Sequence, residues 1–192
     1  MPGHYRVVPK LAGLVYLRPQ GLRTPQPGPL VQVTADVRRL QLGEILRAYW
    51  SLAEPRLREL PRKMIHLRDT ALRLLDKRRT ADERLCHNDL HCRNIVGVGE
   101  KVRLLDWEYS GIGEPLFDLA SYAQSHDLGP ESCQTLLEGY GIASDAVPRF
   151  IEECGLFDWT CALWLVASGE WGSAVGRGRF DLLAKRLQRQ WK

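Results

Sequence analysis

Apolar and polar positions along this chain alternate in two different rhythms. Val7 to Leu17 is an apolar stretch, with Pro9 placed where a helix could begin. PQGLRTPQPGPL follows at residues 19–30, and its prolines and glycines mark a loop that no helix crosses. Thr34 or Asp36 is then placed to cap a helix on which Val37, Leu40, Ile45, Leu46, Tyr49 and Trp50 recur as one apolar face. Pro55 ends that helix or begins the next, and Leu57 to Leu75 predicts a second amphipathic helix with a basic outer side. The middle of the chain changes rhythm. Arg84 to His87 and Val102 to Leu105 have strand propensity, and Ile95-Val96 lies between them before a turn at residues 97–100. After Pro115 the helical spacing returns at Leu116 to Ser125 and at Glu131 to Tyr140, with Gly141 as a stop. Ala146 to Trp171 is long and apolar with Gly155 as a candidate break, and Arg179 to Trp191 is a basic amphipathic finish. The pattern predicts an α+β chain that is mainly α, with short strands pinning loops in its centre.

Composition narrows the class. The 192 residues are 44% hydrophobic and 26% charged, ordinary globular proportions that exclude wholesale disorder and fibrous repeats. The apolar runs are too short to cross a bilayer, and the N-terminus lacks a signal peptide's apolar core, so a soluble, cytoplasmic chain without a membrane partner is expected. A formal charge of +4 falls short of an argument for nucleic acid, and the arginines between Arg56 and Arg84 read as a solvated helix face. The five cysteines are odd in number and form no C-x-x-C pair, which argues for reduced, mostly buried thiols over structural zinc or a disulfide framework.

One constellation carries chemistry. Residues 87–94 read HNDLHCRN, and Asp106 stands twelve residues past Asn94 at the end of an apolar strand. Phosphoryl transfer needs a carboxylate facing the attacking hydroxyl, and a second carboxylate with an amide oxygen to hold Mg²⁺ on the nucleotide phosphates. Asp89 fits the first duty, to orient the hydroxyl and accept its proton. Asn94 and Asp106 fit the metal. Asp and Asn in polar loops are often only turn residues, but the whole string and the second aspartate favour a catalytic loop. The glycines at 97 and 99 read as a hairpin turn and not as a phosphate loop, because no helix follows them.

HNDLHCRNI with LLDWEYSGIGEPLFDLAS resembles the aminoglycoside phosphotransferase and choline kinase superfamily, which shares the protein-kinase-like fold. Asn88 in the middle of the His-x-Asp, and Trp107-Glu108-Tyr109 after Asp106, are similar to choline kinases and bacterial thiamine kinases. KLAGLVYL, LGEILRAYWSLAEPRL and FDWTCALWLVASGEW are similar in turn to the helix after the hinge, the helical insert and the C-terminal segment of that family. The resemblance implies a C-terminal lobe divided into a hinge helix and Pro/Gly-rich loop at 1–33, a helical insert at 34–80, catalytic and metal loops at 86–115 and a helical remainder at 116–192. It implies ATP and Mg²⁺ as cofactors. The family's glycine-rich N-terminal sheet and its phosphate-holding lysine have no counterpart here. Lys10 is the only lysine before Lys63 and stands at an apparent helix start. A lobe lacking its neighbour would favour a homo-oligomer or a separate chain covering the exposed surface.

Within that frame His87 is expected to bond the backbone near the metal aspartate, and His91 to shape the loop together with Asn88. Asp118 is expected to cap its helix or tie it to the catalytic loop. Glu108, Tyr109 and Glu114, with Asp89 and Asp106, would form an acidic pocket for a cationic alcohol. Trp159, Trp164 and Trp171 are candidates for a cation–π contact, with core packing as the plainer role. The expected function is an ATP-dependent phosphotransferase acting on a hydroxyl of a small, choline-, thiamine- or aminoglycoside-like molecule. The alternative is a non-catalytic kinase-like domain that binds a ligand or partner.

Overall fold

The computed structural model of the chain describes residues 39–59, 63–78, 84–98 and 101–191. The hinge segment at 1–33, with Pro9 and Lys10, lies outside the described residues, as do Thr34 and Asp36. The first helix, α1, spans Leu42–Ala53. It does not begin near Thr34 or Asp36, because Arg39 pairs with Ile112 and the Leu40 N–H donates to the Ile112 carbonyl at 2.8 Å. That extended pairing holds the chain out of a helix until Gln41. A 3₁₀ turn at Glu54–Glu59 follows, so Pro55 stands just past the helix end. The second helix, α2, spans Lys63–Lys77, and Leu57, where the sequence predicts that helix to begin, lies in the 3₁₀ turn.

Two small antiparallel sheets frame the centre. In the first, β1 (Arg84–Cys86) pairs with β4 (Gly111–Gly113), Leu85 opposite Ile112. In the second, β2 (Ile95–Val98) and β3 (Lys101–Leu104) form a hairpin with Ile95 opposite Leu104. The hairpin and β1 match the apolar runs, whereas Gly111-Ile112-Gly113 has no strand pattern of its own. Its backbone is recruited by β1 on one side and by Leu40 on the other.

Four helices complete the chain: α3 (Pro115–Ser125), α4 (Pro130–Tyr140), α5 (Val147–Ala167) and α6 (Ala174–Gln190). Pro115 and Pro130 occupy first helical positions, where the missing N–H costs nothing. Gly141 closes α4 in the left-handed conformation at φ 84°. The α6 helix starts earlier than the sequence predicts, because the Ser173 hydroxyl caps it by accepting the Gly176 N–H. The long α5 runs unbroken through Gly155 and ends at Ala167, short of Trp171. Gly155 sits in the helix because the Trp191 indole occupies the space a Cβ would need.

The α5 helix is the centre of the fold. One side joins Leu46 of α1, Leu67 of α2 and Leu187 of α6 in a core around Trp159. Its first turns join Leu119 of α3 and Leu136 of α4 in a second core that also takes Leu90 from the catalytic loop. The Arg56 guanidinium donates to the Val166 and Ala167 carbonyls at 2.6 and 2.7 Å, which satisfies and neutralises the end of α5. The result is the α+β, mainly α architecture expected. No helix among the described residues is long and apolar enough to cross a membrane. None of the five cysteines forms a disulfide; Cys86 and Cys154 are buried, Cys133 and Cys161 half-buried, and Cys92 is exposed.

Candidate active site

The loop from His87 to Asn94 leaves β1 and enters β2 with a single 3₁₀ turn at Cys92–Asn94 as its regular structure, so its shape rests on specific bonds. Asn88 takes a left-handed backbone at φ 64°, a conformation that Asn tolerates better than most residues. The turn exposes two consecutive N–H groups, of His87 and Asn88, and both donate to the Asp118 carboxylate at 2.7 Å. Asp118 is fully buried in the first turns of α3, where the helix dipole favours its charge. At the other end of α3, the Ser125 hydroxyl accepts the Cys92 N–H at 3.0 Å. One helix thus holds both halves of the loop.

The loop is also tied to the segment that carries Asp106. His87 Nε2 lies 2.7 Å from the Leu105 carbonyl, and because a carbonyl only accepts, the ring donates from Nε2. Its Nδ1 is buried without a hydrogen bond from the described residues, and its ring tilts against Trp107 with 4.9 Å between centroids. The Asn88 amide donates to the Tyr109 carbonyl at 2.9 Å, and the Leu105 N–H donates to the Asn94 carbonyl at 2.8 Å. Asp106 itself is left-handed at φ 60°. Two of the three non-glycine residues with positive φ among the described residues therefore fall in this small region, the kind of local strain that neighbouring bonds must hold in place.

These ties bring Asp89, Asn94 and Asp106 together. The Asn94 amide donates to the Asp89 carbonyl at 2.9 Å and to Asp89 Oδ2 at 3.2 Å. Burial raises the Asp89 pKa above the ordinary carboxylate value, and the nearby Asp106 charge adds to the rise. The His91 and His87 rings and the Asn94 amide pull in the other direction. Tyr109 and Tyr49 also border Asp89. Burial raises both phenol pKa values, Glu108 further raises that of Tyr109, and the Asp89 carboxylate contributes to each. Tyr49 has the spacing of the apolar face of α1. The packing of α1 against α5 is what brings it within reach of the Asp89 charge, and no local signal in the sequence marks it.

The donor chemistry suits Mg²⁺. Both side-chain hydrogen bonds of Asn94 to the described residues use its amide nitrogen, which leaves the amide oxygen as the atom to ligate, and Asp106 adds a carboxylate with no hydrogen bond from the described residues. Hard oxygens from one carboxylate and one amide are too few for a protein cage, and Mg²⁺ is commonly held by few protein ligands plus water and phosphate oxygens. No group of three or more His, Cys, Asp and Glu side chains among the described residues converges on a metal position.

Other candidates lie elsewhere. Glu114 is 3% exposed and pairs with Arg149, so it faces the protein interior and not an open acidic pocket. Trp159 is 1% exposed, stacked against Trp50 at 6.2 Å and beside Trp191 at 6.5 Å, which makes it a core residue. Trp171 packs edge-on against Phe180 at 6.4 Å. Trp164 is exposed on α5 and makes no ring contact with the loop among the described residues. Glu108 and Tyr109 are exposed beside Asp106.

The sequence profile of the phosphotransferase enzyme family (APH) matches residues 17–165. A thiamine kinase of Shigella boydii serotype 4 is 33% identical over 89 residues, 43% of this chain and 29% of that protein. The choline kinase LicA of Streptococcus pneumoniae superposes with a TM-score of 0.62 at 25% identity, over 79% of this chain and 56% of that one. The structure of LicA in complex with AMP superposes with a TM-score of 0.67 at 22% identity, over 95% of this chain and 61% of that one. The matches span between 17 and 29% of the length of the curated relatives. The profile match, covering well over half the sequence and including both the HNDLHCRN loop and Asp106, establishes that the chain belongs to the phosphotransferase enzyme family.

Proposed function

We propose that this chain carries the catalytic loop of an ATP-dependent phosphotransferase whose acceptor is a hydroxyl of a small cationic molecule. The observation that carries the proposal is the gathering of Asp89, Asn94 and Asp106 by bonds that run through the loop backbone. Asp89 orients the acceptor hydroxyl. As the hydroxyl oxygen bonds to the γ-phosphorus and the bond to the ADP oxygen breaks, the hydroxyl proton passes to Asp89. Its raised pKa makes it a better proton acceptor than an ordinary surface carboxylate. The Asn94 amide oxygen and the Asp106 carboxylate would hold Mg²⁺. Bound there, the ion would offset the charge of the nucleotide phosphates.

A cationic acceptor is supported by the charges around Asp89. Asp106 adds negative charge near Asp89, Glu108 and Asp106 act on Tyr109, and the Asp89 charge reaches the phenols of both Tyr49 and Tyr109. Aromatic faces attract cations by roughly 0.5–2 kcal/mol. Residues 34–80 act in this reading as the helical insert that sets Tyr49 at the site, residues 86–115 carry the chemistry, and residues 116–192 support it. The nucleotide role draws on the kinase relatives and on the neighbour solved with AMP.

The test is Mg²⁺-dependent ADP production by the purified chain with choline, thiamine or an aminoglycoside as acceptor. The expected result is turnover with one of these acceptors, reduced by about 10³-fold or more in Asp89→Asn and Asp106→Ala. A folded chain that binds nucleotide yet turns over none of them would move the reading to a non-catalytic kinase-like domain.

A further inference from the structure

His91 sits inside the catalytic loop with one ring nitrogen hydrogen-bonded and the other turned toward Asp89. Its backbone is extended, at φ −95° and ψ 167°, and it caps the 3₁₀ turn at Cys92–Asn94. The cap is made by Nδ1, which accepts the Arg93 N–H at 3.2 Å. A ring nitrogen that accepts a hydrogen bond carries no proton, so the proton of the neutral ring is on Nε2. That nitrogen lies 3.6 Å from Asp89 Oδ2. The same oxygen takes the Asn94 amide at 3.2 Å. Oδ1 of Asp89 receives no hydrogen bond from the described residues.

We propose that His91 is a positioning residue for the transfer: its Nε2–H and the Asn94 amide claim Oδ2 of Asp89 and commit Oδ1 to the acceptor hydroxyl. The inference rests on the phosphotransferase reading above. At 3.6 Å the contact is longer than a hydrogen bond, and contacts of this kind shorten when substrate closes the site. In the transfer, the hydroxyl proton moves to Oδ1 while the new oxygen–phosphorus bond replaces the bond to ADP. Oδ2 keeps its two donors throughout, so the carboxylate does not rotate away from the attacking oxygen. A carboxylate free to rotate would present its oxygens at random, and misplacing a reacting group is costly in rate.

The two duties of the ring can be separated by substitution. Asn is a good N-cap that retains an acceptor for the Arg93 N–H, but it is too short to reach Asp89. Gln is a poor cap but long enough to present an amide donor to Oδ2. The expected result for His91→Asn is an unchanged Tm and unchanged KM values, with kcat lowered about 10-fold. His91→Gln is expected to restore kcat to within about threefold of the wild type despite a slightly lower Tm. A merely structural histidine gives the reverse order, with Asn active and Gln impaired, and that result overturns the proposal. If the wild-type chain shows no turnover with any acceptor, the phosphotransferase reading fails by itself. The positioning geometry is then judged by ¹⁵N spectra of the histidine rings. His91 should be the Nε2–H tautomer, and Asp89→Asn should shift its Nε2 resonance and leave Nδ1 in place. An Nδ1–H tautomer, or an Nε2 signal indifferent to Asp89→Asn, overturns the inference.

Discussion

Carboxylates are buried in two regions of this molecule, and the two regions hold them differently. Beneath the catalytic loop, Asp118 is 0% exposed and each of its oxygens takes a backbone N–H at 2.7 Å. In the helical half, Glu153 and Asp158 of α5 depend on arginines from elsewhere, Arg78 just past the end of α2 and Arg186 of α6. Arg78 meets both oxygens of Glu153, at 2.9 and 3.0 Å. Asp158 is also 0% exposed, but Arg186 comes no closer than 3.5 Å and Oδ2 has no hydrogen bond from the described residues. Burial accordingly pushes the Asp158 pKa up from 3.8 to about 7, against the pull of Arg186. Burial alone therefore does not explain the difference between the two regions. Short, fixed backbone donors hold an anion and define a loop at the same time. A distant, shared guanidinium compensates only partly.

Removing the better-paired arginine should have the largest effect. Arg78→Met leaves Glu153 buried without its partner, and a loss of about 3–5 kcal/mol in urea unfolding is expected. Adding Glu153→Leu to that variant should recover most of the loss. A loss under about 1 kcal/mol in the single variant would erase the distinction between the regions.

Asp158 should reveal itself through pH. The folded chain keeps this proton up to about pH 7, whereas the unfolded chain releases it near 3.8. Stability from this group is therefore greatest in acid, falls as the pH rises from about 4 to about 7, and levels off above that, by an amount on the order of a few kcal/mol. Asp158→Asn should flatten this difference, so that subtracting its unfolding curve from that of the wild type isolates the slope. Parallel curves would mean that Arg186 compensates fully.

Asp118→Ala should cost about 2–3 kcal/mol, because two buried N–H groups lose their acceptor. The loss should appear in the Tm and in the ADP-production assay together, since the same bonds shape the loop. At the other end of α3, Ser125→Ala should cost only about 0.5 kcal/mol, because water can reach the Cys92 N–H it would free. A larger loss there would show that both ends of α3 hold the loop with equal force.

Parts of this arrangement can be read from the sequence. Short apolar runs locate β1 and the β2–β3 hairpin, and Pro115, Pro130 and Gly141 locate helix ends, because these signals act within a few residues. The strand at Gly111–Gly113 could not be read this way, since only pairing with Arg84–Cys86 makes it a strand. Glu114 is a similar case. Its place after Asp106 suggests an acidic pocket, but Arg149, 35 residues away, pairs with it in the interior. Tyr49 has the spacing of a core residue, and its position beside Asp89 depends on how α1 packs.

By itself, then, the sequence determined which groups are available for chemistry and roughly how far apart they lie: Asp89, Asn94 and Asp106 on loops between short strands, with helices on either side. These features follow from local propensity and spacing. Only the tertiary structure decided which carboxylates meet an arginine, which meet backbone N–H groups and which remain open toward solvent. Partners that set a group's charge and orientation come from distant parts of the chain, and they meet only once the helices have packed around α5.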